Sequence, residues 1–155
     1  MSGRMNPAGF EQLKAAAQRR GQPFNVLIVD DERYVREVFR DYCAITKVMS
    51  VDIVNDGRSA LERISHEKYD LITLDLIMPE MSGIDALIAI KDVCPHVPVM
   101  IITGNATEKL IDEAGVLGAC KVMYKPVLLE EFIDTMANTL IEKDKAESSS
   151  RGEKA

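Results

Sequence analysis

The chain has 155 residues, of which 46% are hydrophobic and 28% charged, with a formal net charge of −6 and a pI near 5.0. This is the size and composition of one folded domain, which excludes a chain disordered throughout. The acidity, the 5% aromatic content and the absence of Trp exclude a basic nucleic-acid surface and an aromatic stacking platform.

Residues 1–23 carry a net charge of +3 and are expected to form an N-terminal extension. Within it, residues 10–20 have good helix formers and are stopped by Gly21-Gln22-Pro23. The apolar stripe of Phe10, Leu13 and Ala17 is thin, so a short docked helix and a mobile basic arm both stay open. From residue 24 to residue 143, short β-rich runs alternate with amphipathic segments. The runs are 25–30, 50–55, 70–75, 97–103 and 120–125. The first, third and fourth are almost continuously apolar, as strands covered on both faces of a parallel sheet are; the second and fifth suit its edges. Between them, Val35, Val38, Phe39 and Tyr42 have helical spacing, as do Leu129, Ile133, Met136 and Leu140. Gly57 and Gly83 stand near helix starts, while Pro95 and Gly118 punctuate helix ends. Five strand–helix units predict a doubly wound α/β domain. Residues 144–155 are charged and contain Ser148-Ser149-Ser150, a composition expected to give a disordered polar tail.

In such a sheet, ligands bind beyond the carboxyl ends of the strands. The first strand delivers Asp30 and Asp31, followed by Glu32; the third delivers Asp75, the fourth Thr103 and the fifth Lys125-Pro126. Alone, each is ordinary, since a strand-end Asp commonly caps the next helix. Together they place polar groups from four strands on one rim. Carboxylates that converge there repel one another unless a cation intervenes. The donors are all oxygen and no His or Cys is placed to help, so Mg²⁺ is expected, with Mn²⁺ as a substitute. Asp75 can then act as a carboxylate nucleophile for phosphoryl transfer, with Lys125 and Thr103 stabilising phosphoryl oxygens. The first strand is followed by no G-x-G-x-x-G and no Walker loop, which argues against a dinucleotide or NTP site.

The remaining chemistry-bearing residues read as structural. Cys43, Cys94 and Cys120 form no C-x-x-C pair, so neither a disulfide framework nor a zinc site is expected. His66 and His96 read as solvated, and the eight Met as core filling. With no apolar leader and no spanning run, the chain is expected in the cytoplasm, without membrane insertion.

The segments VLIVDD at 26–31, DLITLDLIMPEMSGIDAL at 70–87, VPVMIITG at 97–104 and KVMYKP at 121–126 carry a resemblance. In order and spacing they resemble a response-regulator receiver domain of the CheY-like type, here as a stand-alone domain. The resemblance implies a flavodoxin-like sheet of order 2-1-3-4-5 with helices on both faces. It implies that Asp75 is the phosphoacceptor, loaded by a sensor histidine kinase or a histidine phosphotransfer protein. Asp30, Asp31, Asp75 and the backbone carbonyl of Ile77 would hold Mg²⁺. Lys125, before a cis Pro126, would pair with the phosphoryl group, and Thr103 would move toward it. Output would pass through a protein-binding surface, with an unknown downstream target and no DNA-binding output domain. A homodimer through the face of the fourth and fifth strands fits the same reading.

The alternative use is a relay intermediate that hands the phosphoryl group to another phosphotransfer protein. A reading of another class, a haloacid-dehalogenase-like phosphatase, calls for a second Asp two residues after the first. Ile77 stands there, so the chain is expected to be no enzyme beyond its own phosphorylation and dephosphorylation. Two departures from the receiver pattern matter. Val122 stands where a switch aromatic is common, with Tyr124 displaced by one strand repeat on the same face. Ile77 stands where a polar residue often handles the attacking water, and with Asn105 two residues after Thr103 slow to intermediate self-dephosphorylation is expected.

Overall fold

The computed structural model describes residues 7–153, and side chains for 9–149. Five strands, β1 (Phe24–Val29), β2 (Met49–Val54), β3 (Leu71–Leu74), β4 (Val99–Thr103) and β5 (Lys121–Tyr124), form one sheet. Six helices accompany them: α1 (Pro7–Arg20), α2 (Arg33–Thr46), α3 (Gly57–His66), α4 (Gly83–Val93), α5 (Glu108–Val116) and α6 (Leu129–Glu153). The strand order is β2-β1-β3-β4-β5 and every pairing is parallel. This is the flavodoxin-like order that the resemblance implies. The less apolar runs do lie at the edges.

Alternation along each strand divides the apolar side chains between two cores, because successive side chains point to opposite faces. Val26, Ile28, Leu71, Met100 and Ile102 face one core with α1, α2 and α6. Leu27, Val29, Ile72, Leu74, Val99 and Ile101 face the other with α3, α4 and α5. On the first face Phe39 and Phe132 stack with centroids 4.7 Å apart, and the Tyr42 hydroxyl donates to the Val127 carbonyl at 3.2 Å. Three helices on the second face start with the side-chain caps their sequences provide: Asp56, Ser82 and Thr107 accept from Ser59, Asp85 and Leu110 N–H groups.

Both termini differ from a plain receiver-sized sheet. The N-terminal segment is a docked helix: Leu13, Ala16 and Ala17 are buried in the same core as β1 and α6. Gly21, at φ 73°, ends α1 by taking the left-handed conformation. Arg20 fastens that end. Its guanidinium donates to both Asp70 oxygens at 3.1 and 3.2 Å and lies 4.2 Å from the Phe24 ring centroid. Asp70 also accepts the Asn25 N–H at 2.8 Å, so one carboxylate ties α1 to the starts of β1 and β3. We expect Arg20→Ala to cost about 2 kcal/mol, read as a lower urea midpoint at unchanged slope.

At the other end the expectation of a disordered tail is corrected: α6 continues as helix to Glu153. Its extra turns are supported by contacts that composition does not register. Lys143 pairs with Glu147 one turn on, Lys143 reaches Asp70 at 3.8 Å, and Arg19 reaches Asp144 at 3.6 Å. Residues 1–6 of the expected extension and 154–155 of the expected tail lie outside the described residues. Among the described residues, no helix is long and apolar enough to cross a membrane.

Candidate functional site

The carboxyl ends of β1, β3, β4 and β5 share one rim, and the parallel register explains why. Val29 is paired with Leu74, and Thr103 with Tyr124, so Asp30, Asp75 and Lys125 each follow a strand that stops at nearly the same level. Asp30, Asp75 and Thr103 are buried there, while Asp31 is exposed at the mouth.

Asp75 is gripped through both oxygens. Oδ1 accepts from the Thr103 hydroxyl at 2.9 Å and from the Ile77 N–H at 3.0 Å; Oδ2 accepts from Lys125 Nζ at 2.8 Å. The same ammonium lies 2.8 Å from Asp30 Oδ2 and 3.0 Å from Glu32 Oε1. Asp30 Oδ1 accepts the Glu32 N–H at 2.9 Å, and the Asp30 carbonyl accepts from Arg36 at 2.8 Å. The Lys125–Pro126 peptide is cis. A groove of about 440 Å³ opens beside the site, with Tyr34, Val38, Pro126 and Leu128 in its wall.

Electrostatics follow from burial and pairing. Burial pushes the Asp30 carboxyl above its ordinary 3.8; the bonds from Lys125 and the Glu32 N–H oppose this, and the Asp75 charge adds to it. For Lys125, burial pulls the ammonium down, but bonds to Asp30, Asp75 and Glu32 outweigh it and the net direction is up. Lys125 is therefore a fixed positive charge at every physiological pH.

The Asp30 shift has a consequence for stability. The folded chain holds that proton more tightly than the unfolded chain, so the stability from Asp30 is fully present below 3.8. It is lost as the pH rises through the folded value, and at pH 7 the ionised carboxylate works against folding. Asp30→Asn is thus expected to raise stability at pH 7 by about 1 kcal/mol while removing one carboxylate of the acidic cluster. Thermal melts at pH 7 check the sign; a lower midpoint would contradict it.

Carboxylate oxygens of Asp30, Asp31, Glu32 and Asp75 all lie within 4.8 Å of one another. A set of hard oxygens at that spacing fits a small divalent cation, and Mg²⁺ above softer metals. The sequence-selected residues thus split into two groups. Asp30, Asp31, Asp75, Thr103 and Lys125 come together. Ile77, 49% exposed, contributes its N–H to Asp75. Asn105 is exposed in the loop after β4. Val122 packs against the core of α4 and α5, and Tyr124, opposite Thr103 in the register, is 57% exposed.

Two residues were given no role by the sequence. Glu32 stands in the acidic run, and only the fold brings Lys125 to it. Arg36 carries no signal beyond its place one turn into α2.

A family model described as the response regulator receiver domain matches residues 26–137. The chain belongs to this family. Among relatives of this receiver, it is 29% identical over 136 residues to the chemotaxis protein CheY of Treponema pallidum, covering 86% of this chain and 94% of that protein. It is 33% identical over 113 residues to the regulatory protein LuxO of Vibrio cholerae, covering 73% of this chain and 25% of LuxO. The receiver therefore spans a quarter of LuxO, and about half (49%) of the response regulator MprA of Mycolicibacterium vanbaalenii. In fold it matches the CheY-like receiver domain protein of Methanospirillum hungatei, with a TM-score of 0.77 at 22% identity over 81% of this chain and 99% of that one.

Proposed function

We propose that this receiver accepts a phosphoryl group on Asp75 from a phosphohistidine of a sensor kinase or phosphotransfer protein. The observation that carries the reading is the grip on Asp75: a buried carboxylate held by Lys125 at 2.8 Å and Thr103 at 2.9 Å, among three further carboxylates. Thr103 and the Ile77 N–H fix the rotamer of Asp75, leaving an oxygen to attack phosphorus in line. The new bond is carboxylate oxygen to phosphorus. The bond from phosphorus to the donor imidazole nitrogen breaks, and that nitrogen keeps the electron pair and takes a proton from water. Lys125 turns a donor toward the developing phosphoryl charge. Asp30, Asp31 and Asp75, with the Ile77 carbonyl, would hold Mg²⁺. When bound, that ion supplies the positive charge that phosphoryl oxygens need.

The phosphorylated aspartate adds negative charge and acceptor oxygens beside Thr103, biasing the β4–β5 surface toward a second arrangement. Val122 has no polar tip to report the change, so Thr103 is the residue proposed to transmit it. The donor docks in the groove between α2 and the Pro126 loop. Self-dephosphorylation is slow to intermediate, because Ile77 offers an attacking water no polar partner. The receiver is proposed as a switch rather than an enzyme on an external substrate.

Intact-protein mass measurement after incubation with acetyl phosphate tests this. A gain of one phosphoryl group is expected with Mg²⁺, no gain with chelator, and no gain in Asp75→Asn. A phosphorylated half-life of only seconds, or a much longer one on replacing Ile77, would contradict the slow-hydrolysis reading.

A further inference from the structure

An ammonium group has three donors. At Lys125 all three are engaged, by Asp30 and Asp75 at 2.8 Å each and Glu32 at 3.0 Å. An oxygen arriving with a phosphoryl group must therefore displace one of them. Asp30 and Asp75 are 4% exposed in their side chains and are fixed by further bonds: Asp30 by the Glu32 N–H, Asp75 by Thr103 and Ile77. The Glu32 carboxylate is 58% exposed at the mouth and bonds to Lys125 at the longest of the three distances.

Glu32 also stands at the N-cap of α2 in extended conformation, yet its side chain caps no N–H of that helix. Its carboxylate is turned to Lys125 instead, although a helix N-terminus attracts negative charge. A place for Glu32 to go is therefore at hand when Lys125 is taken from it.

We propose that Glu32 is the resident counter-anion of Lys125, holding the position that a phosphoryl oxygen takes on loading, and so restrains loading from small anionic donors. The proposal rests on the phosphoryl-acceptor reading above. Glu32 acts through Lys125 and is a positioning residue, not a group in the reacting bonds. Two effects add up in its favour: competition for the third donor, and repulsion of anions at the mouth.

Glu32→Gln keeps the shape and removes the charge. At saturating Mg²⁺ we expect it to load from acetyl phosphate about twofold to fivefold faster than wild type, the size of one partly exposed ion pair. The gain should be smaller with phosphoramidate, which carries less net negative charge near neutral pH. Half-saturation by beryllofluoride, read by calorimetry, should fall by a similar factor. Glu37→Gln provides the control, since Glu37 pairs with Arg33 at 3.1 Å and leaves Lys125 untouched. It should leave loading unchanged. Equal loading and equal beryllofluoride affinity in wild type and Glu32→Gln would overturn the proposal. So would slower loading in Glu32→Gln, which would make Glu32 a needed ligand. A wild type that does not load at all would instead defeat the phosphoryl-acceptor reading itself.

Discussion

Lys125→Met is expected to lower the rate of loading at Asp75 by on the order of 10²–10³-fold, the usual cost of removing a preorganised charge stabiliser. The ammonium is the one cationic side chain that contacts Asp30, Glu32 and Asp75 together among the described residues. Its removal also leaves Asp30 and Asp75 ionised and buried without their partner, which should cost about 3 kcal/mol at pH 7. The pH dependence of that loss has a definite sign. In wild type the Lys125 pKa is raised above 10.5, so its contribution is fully present through neutral pH and lost only in strong alkali. In the variant Asp30, already raised by burial, loses the opposing bond from Lys125 and takes up a proton more readily as the pH falls, so the stability gap should narrow toward acid. Single-turnover loading and urea melts at several pH values check both parts.

Among the glycines whose surroundings are described, Gly83→Ala should be the most damaging substitution. A Cβ at that position would lie 2.2 Å from the Leu76 Cα and 2.6 Å from the Asp75 carbonyl oxygen. These are backbone atoms, so no rotamer change can relieve the overlap. Gly83 also donates its N–H to the Leu76 carbonyl at 3.1 Å, which draws the start of α4 against the segment that follows Asp75. Either α4 or the Asp75–Leu76 backbone must move. A loss of about 3 kcal/mol or more is expected, together with impaired loading even where the variant folds. A soluble Gly83→Ala with wild-type melting and loading would contradict the close approach.

What the sequence made legible follows from how local each cause is. The apolar runs of β1, β3 and β4 reveal buried parallel strands because both faces must be covered. The strand-end rule then places Asp30, Asp75, Thr103 and Lys125 on one rim without knowledge of any contact. The fate of α1 was not legible. Ala16 and Ala17 become core only because α6, from the far end of the chain, lies over them. The helical course of residues 144–153 was hidden for the same reason: Arg19 and Asp70 help hold it, and neither is near in sequence. Glu32 looked like one more surface acid until β5 brought Lys125 to it. Tyr124 shares the face of Val122 as the period-two rule requires, but its exposure is set by where β5 ends.

Asp75, and no neighbouring carboxylate, is proposed to take the phosphoryl group. This is tested most directly by loading the protein with acetyl phosphate and Mg²⁺, reducing with borohydride, and mapping the peptides. Borohydride converts an acyl phosphate to the alcohol and so marks the loaded aspartate as homoserine. Homoserine is expected at position 75 alone, dependent on both donor and Mg²⁺. Homoserine at position 30 or 31, or a phosphoryl group retained on His66 or His96, would contradict it.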